Sequence, residues 1–427
     1  MGFLNSDRII VGYDLGNEFS QISFSLSETG DVETLSQVAG SEHYNIPTVL
    51  CKRNGVNQWF YGREAVRYSQ EQQGILVENL LELALDGEPV LIEGESFDPV
   101  ALLALFFKRS LGMLAQVASA DKISAMMITC EELNHDILEV LNHVVAGARL
   151  KTDKVAIQSH SESFYGYMIH QPRELWAYQS VLLAYRGSHI KAYRMECNKH
   201  TTPVVAFIEE REFPFPQWEP LPEPADMRER KIGELDDELL KIGREICEGN
   251  RIDSVFLIGD GFEQEWMKES LRYFCKNRRV FQGNNLFSKG ACFGMQERLN
   301  VSETGKEYVF LGNDKLKANI GMNILRQGEE SYYALLDAGA NWYEAEQEFE
   351  FFLQDGNEIT LIVTPLIGRN GKLAQIVMED FPGNIARLRA RLFLETENVL
   401  TVEIEDLGFG EIREATGRIW TERIELY

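Results

Sequence analysis

The sequence predicts an α/β region followed by an antiparallel β-sandwich, and three patterns carry that expectation. Over residues 1–305, short apolar strands alternate with helices of 3.6-residue period. A strand–turn–strand pattern near the N-terminus returns near residue 180. Beyond about residue 305 the helical period stops, and short alternating segments follow one another between glycine-containing turns.

In chain order, Ile9, Ile10 and Val11 open a strand that runs into Gly12-Tyr13-Asp14-Leu15-Gly16-Asn17. Phe19, Ile22 and Phe24 mark the alternating strand that leads away. TLSQVA (34–39) and TVLCKR (48–53) read as further strands. Asp98 and Pro99 then start a helix as cap and first residue, with Leu102, Leu103, Phe106, Phe107 and Leu111 on its apolar face. The continuous apolar run 123–130 has the length of a buried strand. Residues 133 to about 149 repeat apolar side chains at helical spacing: Ile137, Val140, Leu141, Val144 and Val145. A short strand is expected at 154–158, a second hairpin over 180–195 and another strand at 202–208.

The proline- and aromatic-rich stretch 212–224 reads as a loop, and a helix follows at about 227–248. SVFLIGDGF (254–262) predicts strand, glycine turn and helix start, and 285–294 predicts another helix. After 305, segments such as EQEFEFFL, EITLIVTPL and RLRARLFLE alternate between RQGEE, QDGNE and GRNGK turns. The alternating charges of RLRARLF make one face wet.

Length and charge limit the function. A chain of 427 residues predicts two or three domains. Acidic side chains outnumber basic ones 67 to 42, and the net charge of −25 argues against nucleic acid and anionic membranes as partners. The six cysteines include no CxxC pair, which predicts reduced thiols in a cytoplasmic protein rather than a disulfide framework. The seven histidines form no HxH or HExxH, so no structural metal site is expected. No apolar run reaches the ~18 residues of a membrane span, and the N-terminus lacks a signal peptide's basic start and apolar core. Gly2 and Ser6 fit the loose myristoylation pattern.

The order of these signatures resembles the actin-like (ribonuclease H-like) ATPase fold, whose two related lobes enclose a nucleotide cleft. More specifically, the chain resembles the seventy-kilodalton heat-shock chaperones. Ile46-Pro47-Thr48-Val49 and Tyr61-Gly62-Arg63-Glu64-Ala65 resemble that family's "IPSVV…VG…A" stretch. Residues 123–129 and the helix after them resemble the strand and helix before its second lobe, and 155–167 fall where it writes "NEPTAAA". Residues 332–366 and 386–411 resemble its substrate-binding β-sandwich, and Val309-Phe310-Leu311 its apolar interdomain linker. The resemblance implies a nucleotide-binding domain over 1–305, with lobe I at about 1–175 and a reduced lobe II at about 176–305. A β-sandwich over 306–427, without the family's helical lid, completes it.

The resemblance also implies site residues. Asp14 would orient waters on Mg²⁺, with Gly16 and Asn17 beside the phosphates of ATP or ADP; the plainer reading is an ordinary Asp-x-Gly turn. Gly187 would lie at the second phosphate hairpin, and Gly259 and Gly261 beside the ribose or a phosphate. The match is incomplete. The family's "DLGGGT" is replaced by Leu183-Ala184-Tyr185-Arg186-Gly187-Ser188, which offers no carboxylate. Arg186 reads as an anion donor or as a solvated tip. The family's lysine segment falls on Val77-Glu78-Asn79-Leu80-Leu81-Glu82, and its glutamate falls on Ser159, with Glu162 three residues on. Asp260 reads as a helix cap or as a charge that repels phosphate. Phosphoryl transfer needs charge neutralisation around the γ-phosphate, and these losses remove roughly several kcal/mol of it.

The expected protein is therefore a chaperone-like pseudo-enzyme. Its nucleotide site is degenerate, binding Mg-ATP or Mg-ADP weakly or not at all, and its sandwich would bind an extended peptide or partner protein. Two alternatives stand beside it: a slow ATP-dependent chaperone using Asp14, Glu162 and Asp260, and an actin-like scaffold.

Overall fold

The computed structural model describes residues 8–38, 41–117, 119–152, 154–217, 219–283, 285–366, 371–381 and 385–426. The myristoylation candidates Gly2 and Ser6, and the side chain of Asp260, lie outside what is described. The chain is mixed α/β and divides into two compact units, Met1–Val309 and Phe310–Tyr427.

The first unit is built on two sheets that repeat one plan. In the first sheet the order is Val155–Ser159, Ile123–Cys130, Ile9–Leu15, Phe19–Ser25, Glu33–Thr34. Ile9–Leu15 pairs antiparallel with Phe19–Ser25 and parallel with Ile123–Cys130, placing Asp14 beside Thr129. The second sheet runs Arg279–Gln282, Ile252–Ile258, Gln179–Arg186, His189–Asn198, Val204–Pro214 in the same order. Its hairpin is antiparallel and its crossover pairs are parallel, as in the first sheet. The central strands are buried along their length, which explains their nearly unbroken apolar sequences.

Helices tie the two sheets together. Leu286–Leu299 follows the second sheet in sequence but packs on the first. Gly12 permits this, because a Cβ there would fall on the backbone of Ser288 and Cys292. Conversely, His160–Ile169 follows the first sheet and sends Phe164 and Tyr167 against Phe256 of the second. The two helices cross closely, since a Cβ on Gly290 would collide with the Ser163 carbonyl. A division into 1–175 and 176–305 thus follows the strands but not the helices.

Several local expectations change. The strand expected at 202–208 covers Val204–Pro214, because it pairs with His189–Asn198 for ten residues and draws in the start of the proline-rich stretch. Pro214 is tolerated as its last residue. Among the described residues of TLSQVA, only Thr34 lies in a strand; Ser36 turns the chain through its hydroxyl bond to the Val38 carbonyl. After Ile258 a single 3-10 turn, Asp260–Phe262, replaces the expected helix start, and the next helix is Glu269–Phe274. The helices Gly62–Gln70 and Leu80–Asp86 add to those expected; both are short, at nine and seven residues. The expected cap at Asp98 is present: its side chain accepts from Val100 N at the start of Pro99–Leu111.

The second unit holds two four-stranded antiparallel sheets. One is ordered Glu329–Leu336, Ala318–Arg326, Glu358–Pro365, Lys372–Val377; the other Glu346–Leu353, Ala386–Thr396, Val399–Asp406, Ile419–Glu425. Each buries one face. Along Ala386–Thr396 the residues Ala386, Leu388, Ala390, Leu392 and Leu394 are buried, while Arg387, Arg389 and Arg391 face Glu346, Glu350, Glu403 and Glu405 on the wet side.

Candidate functional site

The tips of the two hairpins meet at a cleft of about 330 Å³ in the first unit. Asp14, Gly16, Asn17, Gly187, Gly259 and Gly261, the residues singled out from sequence, all line it. Glu18, Glu131, Tyr185 and Arg186 line it with them.

Asp14 lies near the end of its strand with a relative exposure of 4%. One oxygen accepts from His160 Nε2 at 2.8 Å, and the other faces Arg186 Nη2 at 3.7 Å. His160 is the first residue of His160–Ile169, whose N-cap is Ser159: the Ser159 hydroxyl accepts from Glu162 N. Ser159 is thereby a capping residue, and Glu162 is not among the cleft-lining residues. The His160 ring stacks on Phe287 at 3.8 Å. Burial holds its imidazole below the ordinary pKa, against the pull of Asp14, so a neutral ring donates Nε2–H to the carboxylate. Its other nitrogen, Nδ1, is buried without a hydrogen-bond partner among the described residues.

Arg186 faces anions of the chain itself and stays half-buried. Its guanidinium lies between Asp14 and Glu131, with Nη1 3.8 Å from Glu131 Oε2. Glu131 directly follows the strand Ile123–Cys130, at the same sheet end as Asp14. Burial pushes its carboxyl up, but Arg186 and Lys191 outweigh that and hold it below the usual range. Lys191 is itself buried in the second hairpin and meets Glu131 at 3.5 Å, Glu132 at 3.1 Å and Glu210 at 3.4 Å. Ser161 donates to Glu210 at 2.7 Å, joining the helix to the second sheet. Sequence reading missed Glu131, His160 and Lys191 as site residues. The available signal was a lysine inside the apolar run Ile190 to Ala192 and an acid immediately after a buried parallel strand.

Two of the glycines make room for a neighbour, and two form turns. Gly259, at φ +107°, leaves room for the Tyr185 backbone, and Gly261 leaves room for the Tyr185 ring. That ring packs against Phe215 and Phe262, and its hydroxyl donates to the Pro216 carbonyl at 2.7 Å. Gly187, at φ +52°, forms the hairpin turn with open space around its Cα. Gly16 donates its N–H to the Phe19 carbonyl, against which a Cβ would collide. The side chain of Asn17 turns away to the segment 79–82: its Oδ1 accepts from Glu82 N and its Nδ2 donates to Asn79 and Glu82.

These donors do not fit a Mg-nucleotide. Both Asp14 oxygens face nitrogen partners, the opposite tip presents a guanidinium, and Tyr185 fills the space its neighbouring glycines leave. Among the described residues, no three His, Cys, Asp or Glu side chains are grouped to hold a metal ion. None of the six cysteines, all among the described residues, is in a disulfide, and no described helix is long and apolar enough to cross a membrane.

Residues 31–313 match a model described as the C-terminal part of a family of unknown function (DUF5716). Residues 315–426 match a second model, a domain of unknown function (DUF8552). The two matches meet close to the division between the compact units. No curated protein matches the chain. The first match covers well over half of the 427 residues, and the chain belongs to that family of unknown function (DUF5716).

Proposed function

We propose that this chain is a binding protein on the two-lobed actin-like plan, related to the seventy-kilodalton heat-shock chaperones and no longer an ATPase. Its cleft holds ATP or ADP weakly or not at all. Its work, in the cytoplasm, is to bind an extended peptide or a partner protein through the C-terminal β-sandwich. The observation that carries the reading is the meeting of the two hairpin tips: Asp14 from the first faces Arg186 from the second, where hydrolysis would need a metal-binding carboxylate. The duplicated strand order supports the two-lobed plan. The edge strand Lys372–Val377, with Leu373 and Val377 exposed, offers backbone and apolar side chains to an added strand.

Calorimetric titration of the full chain with Mg-ATP tests the cleft. The expected result is no saturable heat in the micromolar range. Micromolar binding abolished by Asp14→Ala would defeat the proposal. For the sandwich, a panel of fluorescent unfolded peptides should include members that bind the full chain and lose binding when Leu373 and Val377 are both changed to Asp. Uniform failure of the panel removes the peptide reading.

A further inference from the structure

We infer that Arg186 is the resident cation of the cleft: it stands in the place of a divalent metal and joins the first hairpin to the second. This rests on the reading of the cleft as a relict nucleotide site. The first hairpin's sheet brings two carboxylates, Asp14 and Glu131, to one edge of the cleft. Two carboxylates at one site repel unless a cation lies between them. The cation supplied here is covalently part of the chain, reaching across from the strand Gln179–Arg186 to 3.7 Å from Asp14 and 3.8 Å from Glu131.

The surroundings complete the substitution. Phe287 lies under both partners of Asp14: its ring stacks on His160 and sits 5.7 Å from the Arg186 guanidinium. Lys191, from the returning strand of the same hairpin, takes the other oxygen of Glu131 at 3.5 Å. Charge therefore alternates from Asp14 to Arg186 to Glu131 to Lys191 across the hairpins, with both anions from one side and both cations from the other. A tethered guanidinium bears no association entropy, whereas a free metal ion must displace it and leave it without its anions. The cleft is closed to divalent metal by the chain's own charge, and removing that charge should reopen it.

The test is calorimetric titration of the full chain with MgCl2 and with MnCl2, without nucleotide, for the native protein, Arg186→Ala and Arg186→Lys. The native protein and the lysine variant should show no saturable metal binding. The alanine variant should bind at least about tenfold more tightly, and Asp14→Asn in the same chain should abolish that gain. Native binding as tight as the alanine variant's overturns the inference. So does an alanine variant that melts cooperatively yet gains no affinity. If alanine prevents folding, Arg186→Gln removes the charge while keeping bulk and carries the same comparison. Because the Mg-ATP titration involves nucleotide and this one does not, the two readings fail separately.

Discussion

Asp14 illustrates how one side chain can keep its place while its chemistry changes. It stands at a strand end in the cleft, but its oxygens meet His160 and Arg186. His160 makes the arrangement sensitive to pH. Its folded pKa is depressed by burial, so the unfolded chain takes up a proton first as pH falls through the ordinary histidine value of about 6.5. Stability should therefore decline on acidification below that point and remain reduced below the folded pKa. His160→Gln can still donate to Asp14 but cannot titrate. Thermal melts of the variant should lack the decline that the native protein shows between about pH 7 and 5.5; identical slopes would refute the assignment. Arg186 and Lys191 were visible as letters in the sequence, but their partners were not. The Asp14–His160 contact joins residues 146 positions apart, beyond any local pattern.

At the scale of elements, hairpins and buried strands were legible because side-chain alternation is local. The crossing of His160–Ile169 over Leu286–Leu299 is also written partly in sequence, as the small residues Gly166, Gly290 and Ala291. What they are small for appears only in the fold. A Cβ on Gly290 would strike the Ser163 carbonyl, and one on Gly166 would lie 2.9 Å from the Gly290 carbonyl. Gly290→Ala should thus overpack the crossing and destabilise the first unit by about 1–3 kcal/mol, despite alanine's better helix propensity of about 1 kcal/mol. Urea unfolding measures the balance; an unchanged or raised midpoint would mean that the helices separate without penalty. Leu80–Asp86 escaped sequence reading for the opposite reason. It is short, and part of its N-terminal hydrogen bonding comes from Asn17, distant in sequence.

For the whole molecule, two acid effects act in different pH ranges. The net charge of −25 shrinks as carboxylates protonate, which relieves self-repulsion. Several carboxyls, however, are held below their usual range in the fold. Asp236 accepts from the Ser270 hydroxyl and from the backbone N–H groups of Lys268, Glu269 and Ser270. In the second unit Asp406, fully buried, accepts from Gly408 and Thr416 and pairs with Arg413. For both, burial pushes upward and these bonds outweigh it. A depressed carboxyl contributes stability that is present above its unfolded pKa and lost as pH falls through the folded value. Between pH 7 and the isoelectric point near 4.8 acidification removes net charge; below it the chain turns positive, and the new repulsion adds to the loss of these bonds. The urea midpoint should therefore fall steeply from about pH 5 to pH 3. A midpoint that holds level over that range would show that the buried carboxyls contribute nothing.

The letters alone settle the alternation of the strands, the recurrence of the hairpin and the change of character after residue 305, because these depend on neighbours two to four positions away. They also place the glycines at turns, where backbone freedom is a local need, with Asp14 at the strand end before the first of them. The exchange of helices between the sheets, the filling of the glycine space by Tyr185 and the capture of Arg186 between Asp14 and Glu131 depend on which surfaces meet once the chain is compact. Burial and charge pairing across long sequence separations choose those partners, and they turn a recognisable cleft into one held by its own cation.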